Sequence, residues 1–137
     1  MKAQTVYFVQ PGKAEVREEP VPDPAAGQIQ VQCVANGICM AEVSLFTGAE
    51  PSKFPRVVGH EGIGIVTKAG KDARNIAEGD YVVCGRWSSL MNLDAATAIK
   101  YNKLPADPAL YLTEPVACIV VALYEYDITW RAARQCC

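Results

Sequence analysis

Apolar and polar positions alternate at period two through much of the first two-thirds of the chain, and that period belongs to strands. The clearest run is Gln28 to Val34. It places Ile29, Val31 and Cys33 on one face and Gln28, Gln30 and Gln32 on the other, which predicts a half-buried strand. Thr5-Val6-Tyr7-Phe8-Val9 is dense in strand formers and stops at Pro11-Gly12. Ala14 to Glu19 reads as a short polar strand before Pro20, and Val21 to Gly27, with three prolines or glycines, as irregular chain. Ile63 to Thr67 mixes glycine with β-branched residues, the pattern of a strand whose neighbours approach closely. Tyr81-Val82-Val83 follows a Gly79-Asp80 turn, and Thr97 to Lys103, ended by Pro105, reads as a further strand.

The period changes in two places. Cys39 to Phe46 suits one or two helical turns closed by Thr47-Gly48. Val116, Ile119, Val120 and Leu123 fall at helical spacing, with Pro115 fitted to a first turn and Thr113 or Glu114 at the start. The expected fold is therefore mainly β: a barrel-like body of short strands with short helical turns and one C-terminal helix.

The 137 residues, half of them hydrophobic, suffice for one domain with a core. A net charge of −2 with both signs scattered leaves no basic stripe for nucleic acid, and Arg131 with Arg134 forms only a small basic end. The longest apolar stretch, Val116 to Tyr124, falls short of the ~20 residues of a membrane span. The N-terminal MKAQTVYFVQ lacks the apolar run and cleavage site of a signal peptide. The expectation is a cytoplasmic protein with neither nucleic-acid nor membrane partners. Six cysteines occur, at 33, 39, 84, 118, 136 and 137, with no C-x-x-C pair, which argues against a zinc ribbon or a thioredoxin-type motif. Cys33 and Cys84 read as free buried thiols, and adjacent Cys136 and Cys137 as exposed and prone to oxidation.

The single histidine, His60, sits in Gly-His-Glu-Gly between a proline-rich loop and a strand. Cys39 lies upstream at a strand-to-helix turn, and Glu114 lies downstream at a helix start. A thiolate, an imidazole and a carboxylate from separate elements make a shell that suits zinc, which takes such ligands tetrahedrally and keeps one position open in catalytic sites.

Three stretches carry a resemblance: Gly37-Ile38-Cys39, Phe54 through Val66 with its Gly59-His60-Glu61-Gly62, and Glu78-Gly79-Asp80-Tyr81-Val82. With Lys103-Leu104-Pro105-Ala106-Asp107 and Leu112-Thr113-Glu114-Pro115-Val116-Ala117-Cys118 they follow one order, and the chain resembles the medium-chain dehydrogenase/reductase family of zinc-dependent alcohol dehydrogenases from residue 3 to about 130. The resemblance implies a GroES-like, partly open β-barrel. It also implies a catalytic zinc on Cys39, His60, Glu61 and Glu114, with Cys118, one helical turn past Glu114, competing for the last position. Glu61 is expected to tune the metal or help exchange its ligands. The implied activity is hydride transfer between an alcohol or carbonyl substrate and NAD(P).

Departures from the family pattern are as informative. After the zinc cysteine the family usually has a small residue, then Ser or Thr, then Asp; here stand Met40, Ala41 and Glu42. Ala41 has no hydroxyl to carry a proton from zinc-bound alcohol, and Ser44 is the nearby substitute. Glu42 stands where an Asp orients the zinc-bound His. The region after Tyr81-Val83 holds a single cysteine, Cys84, so no structural zinc is expected, and Trp87 reads as a packing residue in preference to a lining of the substrate cleft. No G-x-G-x-x-G turn for a cofactor pyrophosphate occurs, and the sequence after Trp130 does not lead into one.

The resulting expectation is a GroES-like zinc and substrate domain over residues 1–130, an atypical tail over 131–137, and no cofactor-binding Rossmann domain. Such a chain is not competent alone for hydride transfer. It is expected to form a homo-oligomer or to pair with a partner chain over the apolar Val116–Leu123 face. A non-redox zinc or ligand module, or half of a split enzyme, is the alternative. A chaperonin-like role is disfavoured, because a Cys, His-Glu and Glu set has no purpose there.

Overall fold

A computed structural model describes residues 1–102 and 106–125. The expectations that rest on Lys103, Leu104, Pro105, Trp130, Arg131, Arg134, Cys136 and Cys137, and the tail boundary at 130, lie outside the described residues.

Strands β1 (Lys2–Gln10) and β2 (Lys13–Pro20) form an antiparallel hairpin, with Tyr7 and Phe8 pairing β4 (Arg56–Val57) on the other side. The hairpin tip is the predicted Pro11-Gly12, where Gly12 takes φ +73, a left-handed conformation cheap only without a Cβ. Strands β3 (Gln28–Asn36), β5 (Gly62–Ala69), β6 (Tyr81–Cys84) and β7 (Leu90–Asp94) form a second sheet in the order β6-β5-β3-β7. A Thr5–Ser88 bridge links the two sheets, which curve into a partly open barrel. Helix α1 (Met40–Thr47) follows β3 and ends on Gly48 at φ +78, as Thr47-Gly48 predicts. Helix α2 (Glu114–Glu125) comes last among the described elements. None of the described helices is long and apolar enough to cross a membrane.

Two apolar clusters hold the body. Ile29, Val31, Val66, Ile76, Val82, Cys84, Met91 and Ala95 fill the larger. Phe8, Leu45 and Val58 form the smaller, which anchors α1 to β1. Phe8 meets Phe46 at 5.2 Å between ring centroids and Trp87 edge-on at 5.8 Å, separations at which aromatic pairs attract beyond their buried area.

The structure corrects the sequence reading at several points. Gln30, expected on a polar face, is fully buried, because β3 is central and covered on both sides. Its amide donates to Pro22 O at 3.1 Å and lies 3.4 Å from Asn92 Oδ1, which offsets part of the cost of burial. Of the expected strand from Thr97 to Lys103, residues 97–102 do not form one. The Asp94 carbonyl accepts from the amides of Thr97 and Ala98 in a turn, and only residues 99–101 reach β6, through Val83 N–H to Ile99 O and Tyr101 N–H to Tyr81 O, both 2.9 Å. Strand β7 and a single turn of 3₁₀ helix at Pro108–Tyr111 went unpredicted.

The turn into β6 is fixed by Asp80, which accepts from Ala77 N–H at 2.8 Å and pairs with Lys100 Nζ at 2.7 Å. The Lys100 ammonium, and then the Ala77 amide, hold the Asp80 carboxyl below its usual range. A depressed carboxyl stabilises the fold above its unfolded value of roughly 3.9, and that contribution fades as pH falls through the lower folded value. Asp80→Asn should therefore lower the melting temperature slightly at pH 7. The gap to wild type should close as pH falls below about 4, and thermal melts across pH check this.

Candidate metal centre

The site is built where β3 ends and β5 begins. Gly37 N–H donates to Glu61 O at 2.6 Å, clamping the end of β3 to the residue that precedes β5. Cys39 follows at the extended N-cap of α1 (φ −83, ψ 156), and its carbonyl accepts from the amides of Glu42 and Val43. On the other side, Val58 O and Gly59 O accept from Trp87 and Arg86 N–H at 2.7 and 2.9 Å. Gly59 takes φ +101, and a Cβ there would lie 2.6 Å from Trp87 N, so only glycine permits this seam. The two clamps bring the half-buried Cys39 alongside His60.

His60 is held by Glu42, whose Oε1 lies 2.7 Å from His60 Nδ1. The other oxygen, Oε2, accepts from Cys39 N–H at 3.0 Å. One buried carboxylate thus closes the first turn of α1 and orients the imidazole. The bond at Nδ1 leaves Nε2 for other partners: Glu61 Oε1 lies 3.7 Å from it. His60, Glu61 and Glu114 offer donor atoms all within 4.8 Å of one another, and so do Cys39, Glu42 and His60. Both oxygens of Glu42 already accept hydrogen bonds, so in the second trio it acts as support, while Cys39 and His60 supply the donors.

Glu114 reaches the cluster from the first residue of α2. Cys118, one turn on, donates its thiol to Glu114 Oε1 at 2.9 Å. That bond, helped by Glu61 and His60, holds the Glu114 carboxyl below its usual range against the opposing effect of burial. The same bond with Glu114, then burial and the surrounding negative groups, pushes the Cys118 thiol up. The geometry thus sets Glu114 facing His60 and Cys118 bonded to Glu114. Ser44 is half-buried, and among the described residues its hydroxyl makes no hydrogen bond; its carbonyl accepts from Thr47 Oγ1 and Glu50 N–H. Ala41 is exposed on the first turn.

Sulfur on one side of His60 and two carboxyl groups on the other are donor types that suit zinc. Glu61 is 8% exposed and has Glu114 nearby, so two carboxyl groups meet at His60, and both would serve a divalent cation bound there. The residues therefore fit the metal that the resemblance implies.

Two features of the site were not read from the sequence. Gly37 is one: a Cβ there would lie 2.3 Å from Glu61 Oε2 and 3.1 Å from its Cβ. Gly37→Ala should force Glu61 aside, costing roughly 1–3 kcal/mol by overpacking and weakening zinc retention; a thermal melt with a parallel zinc titration checks both. The other is Trp87. It is a packing residue, as expected, and meets Phe8, but its indole N–H also donates to Gly37 O at 3.0 Å. It walls a cavity of about 250 Å³ with Phe8, Ile38, Val43 and Phe46, at whose edge Glu42 lies.

Comparison with known proteins follows the same lines. Residues 25–104 match the family model of the alcohol dehydrogenase GroES-like domain. An alcohol dehydrogenase class-3 from Cereibacter sphaeroides is 34% identical over 85 residues, covering 61% of this chain and 23% of that protein. The chain thus matches less than a quarter of that relative's length. Among solved structures, the Escherichia coli quinone oxidoreductase complexed with NADPH is 32% identical with a TM-score of 0.59, over 76% of this chain and 33% of that one. The human synaptic vesicle membrane protein VAT-1 homolog-like protein superposes with a TM-score of 0.75 over 92% of this chain and 44% of that one; at 20% identity it speaks for the fold alone.

Proposed function

The chain belongs to the alcohol dehydrogenase GroES-like domain family, and on that premise we propose that residues 1–130 form the zinc- and substrate-binding part of a zinc-dependent NAD(P) alcohol or polyol dehydrogenase. The observation that supports the reading is that two donor trios meet at His60, Cys39 with Glu42 on one and Glu61 with Glu114 on the other, while Glu42 holds the imidazole at Nδ1. A fold kept only as a scaffold has no need of that arrangement.

Zinc bound there supplies Lewis acidity, polarising a carbonyl oxygen or favouring the alkoxide of a bound alcohol near neutrality. The chain's own residues set the conditions. Glu42 Oε1 sits at His60 Nδ1, which leaves Nε2 as the nitrogen that would face the metal. Glu61 and Glu114 place carboxyl groups beside it. Ala41 carries no hydroxyl, so a proton leaving the substrate takes another route than the usual Ser or Thr. Replacing zinc by Co(II) tests the site: a Cys39 thiolate ligand gives an intense near-ultraviolet charge-transfer band, and a site without it gives none.

Hydride transfer also needs a nicotinamide cofactor, and the 137 residues contain no G-x-G-x-x-G turn. We expect these residues alone to give no turnover. Purified chain incubated with NADH or NADPH and a panel of carbonyl compounds should oxidise neither above the protein-free rate; clear turnover contradicts the expectation.

One observation favours association. Val116, Ile119, Val120, Val121 and Tyr124 on α2 are between 50% and 87% exposed, an unusual density of bare apolar surface. A second copy, or a partner chain carrying a nucleotide-binding domain, would cover it. Light scattering should show a dimer or larger species, and a clean monomer counts against this part of the reading.

A further inference from the structure

Cys118 stands at the edge of the metal centre with no part in either donor trio. Helix α2 begins at Glu114, so Glu114 and Cys118 lie one turn apart on the same helical face. The Cys118 thiol donates to Glu114 Oε1 at 2.9 Å. Glu114 in turn offers a donor atom within 4.8 Å of those of His60 and Glu61. A sulfur is therefore hydrogen-bonded directly to one of the residues that would hold the metal. Cys39 supplies a second sulfur to the same imidazole, in the trio it forms with Glu42. His60 thus has a sulfur in reach through each trio, Cys39 directly and Cys118 by way of Glu114.

The two members of the Glu114–Cys118 pair favour different ions. A carboxylate is a hard donor and a thiolate a soft one. Zinc accepts either, and Glu114 already faces His60 with no thiol proton to remove. A softer ion gains more from sulfur than from oxygen. Cys118 must lose its proton to serve such an ion. Glu114 Oε1, which already accepts the thiol hydrogen bond, is in place to take it. Among the described residues Cys118 is exposed, so an ion in solution reaches its sulfur.

We propose that Cys118 is a reserve ligand: zinc is held through Glu114, and a thiophilic ion of the cadmium class is held through Cys118, whose sulfur joins that of Cys39. The inference rests on the zinc reading given above. In the exchange the bond between the ion and the Glu114 oxygen breaks and one to the Cys118 sulfur forms. The thiol proton passes to the Glu114 carboxylate, and no electrons are transferred. Glu42 keeps both its bonds, to His60 Nδ1 and to Cys39 N–H, so the support of the site is unchanged. The sequence leaves Glu114 and Cys118 competing for one position, and the hydrogen bond between them assigns each to a different class of ion. Soft ions thereby gain a hold on the centre that zinc does not use, and they displace zinc from it.

The test loads the wild-type chain with one equivalent of zinc or of cadmium, adds iodoacetamide, and reads the alkylation rate at each cysteine by peptide mapping. Both ions should slow Cys39. Cadmium should slow Cys118 by about tenfold or more relative to zinc, because a metal-bound sulfur no longer acts as the nucleophile. The cadmium nuclear magnetic resonance signal is an independent readout, since each thiolate ligand moves it downfield. It should move upfield in Cys39→Ser and, separately, in Cys118→Ser, whose hydroxyl keeps the bond to Glu114. Equal Cys118 rates with the two ions, or a signal that Cys118→Ser leaves in place, overturn the inference; if Cys39 is still protected, the zinc reading survives. A chain in which neither ion slows Cys39 overturns both. The mapping needs no variant, so it decides the matter whether or not Cys118→Ser folds.

Discussion

Cys39→Ser is expected to abolish stable zinc binding while leaving the fold intact. Cys39 is the one sulfur donor beside His60 in the described cluster, and a thiolate is the anionic ligand that zinc favours at neutral pH. A serine hydroxyl stays protonated there, so the variant loses both the charge and the soft donor, leaving His60, Glu61 and Glu114. The expected loss of affinity is at least about a hundredfold, equivalent to about 2.7 kcal/mol. In practice, zinc that survives dialysis against a weak chelator in wild type should be gone in the variant. The fold should survive because Cys39 belongs to neither apolar cluster. Far-ultraviolet circular dichroism should therefore be unchanged, and retained zinc in Cys39→Ser would place the metal elsewhere.

Glu42→Ala should be the second most damaging change, through a different route. Glu42 is 4% exposed, and its two oxygens serve His60 Nδ1 and Cys39 N–H. Removing it frees the imidazole to rotate and takes away the acceptor for the first amide of α1. Loss of such a supporting carboxylate typically costs 10–100-fold, roughly, in metal affinity. The orphaned Cys39 amide should cost a further ~1–3 kcal/mol of stability. Glu42→Gln separates the two effects. Its amide oxygen accepts one bond, but its NH₂ cannot accept the other, so stability should partly recover while zinc affinity stays low. Glu42→Asp, which keeps the charge on a shorter stem, should restore part of the zinc affinity. A purely structural role would instead make both variants follow stability alone. Zinc titrations paired with thermal melts distinguish the cases.

Much of this arrangement was legible in the sequence because it depends on local signals. The alternation around Ile29 and Val31, the Pro11-Gly12 and Gly79-Asp80 turns, and Gly48 at the end of α1 each act within a few residues, and each element formed where expected. Glu42 was expected to steady His60, and the structure sets its carboxylate at Nδ1.

What escaped the reading depends on contacts distant in sequence. Gln30 looks polar and solvent-facing until β5 and β7 close over both edges of β3. Leu90 to Asp94 carries no strong strand pattern of its own and becomes β7 because β3 offers it an edge. The Gly37 requirement arises from Glu61, 24 positions away, and the Trp87 bond to Gly37 spans 50 positions. Residues 97–102 form no strand for a local reason: the Asp94 carbonyl captures the Thr97 and Ala98 amides. On α2, the spacing of Val116, Ile119 and Val120 announced a helix, but a pattern cannot say whether the apolar face meets a partner, and among the described residues these side chains are exposed.

Cys39, His60, Glu61 and Glu114 are proposed to hold a metal ion. The most direct test is elemental analysis of the purified chain after dialysis, reported as metal per folded chain. One equivalent of zinc is the expected result. A chain that is folded by circular dichroism, has been offered zinc and retains none would contradict it.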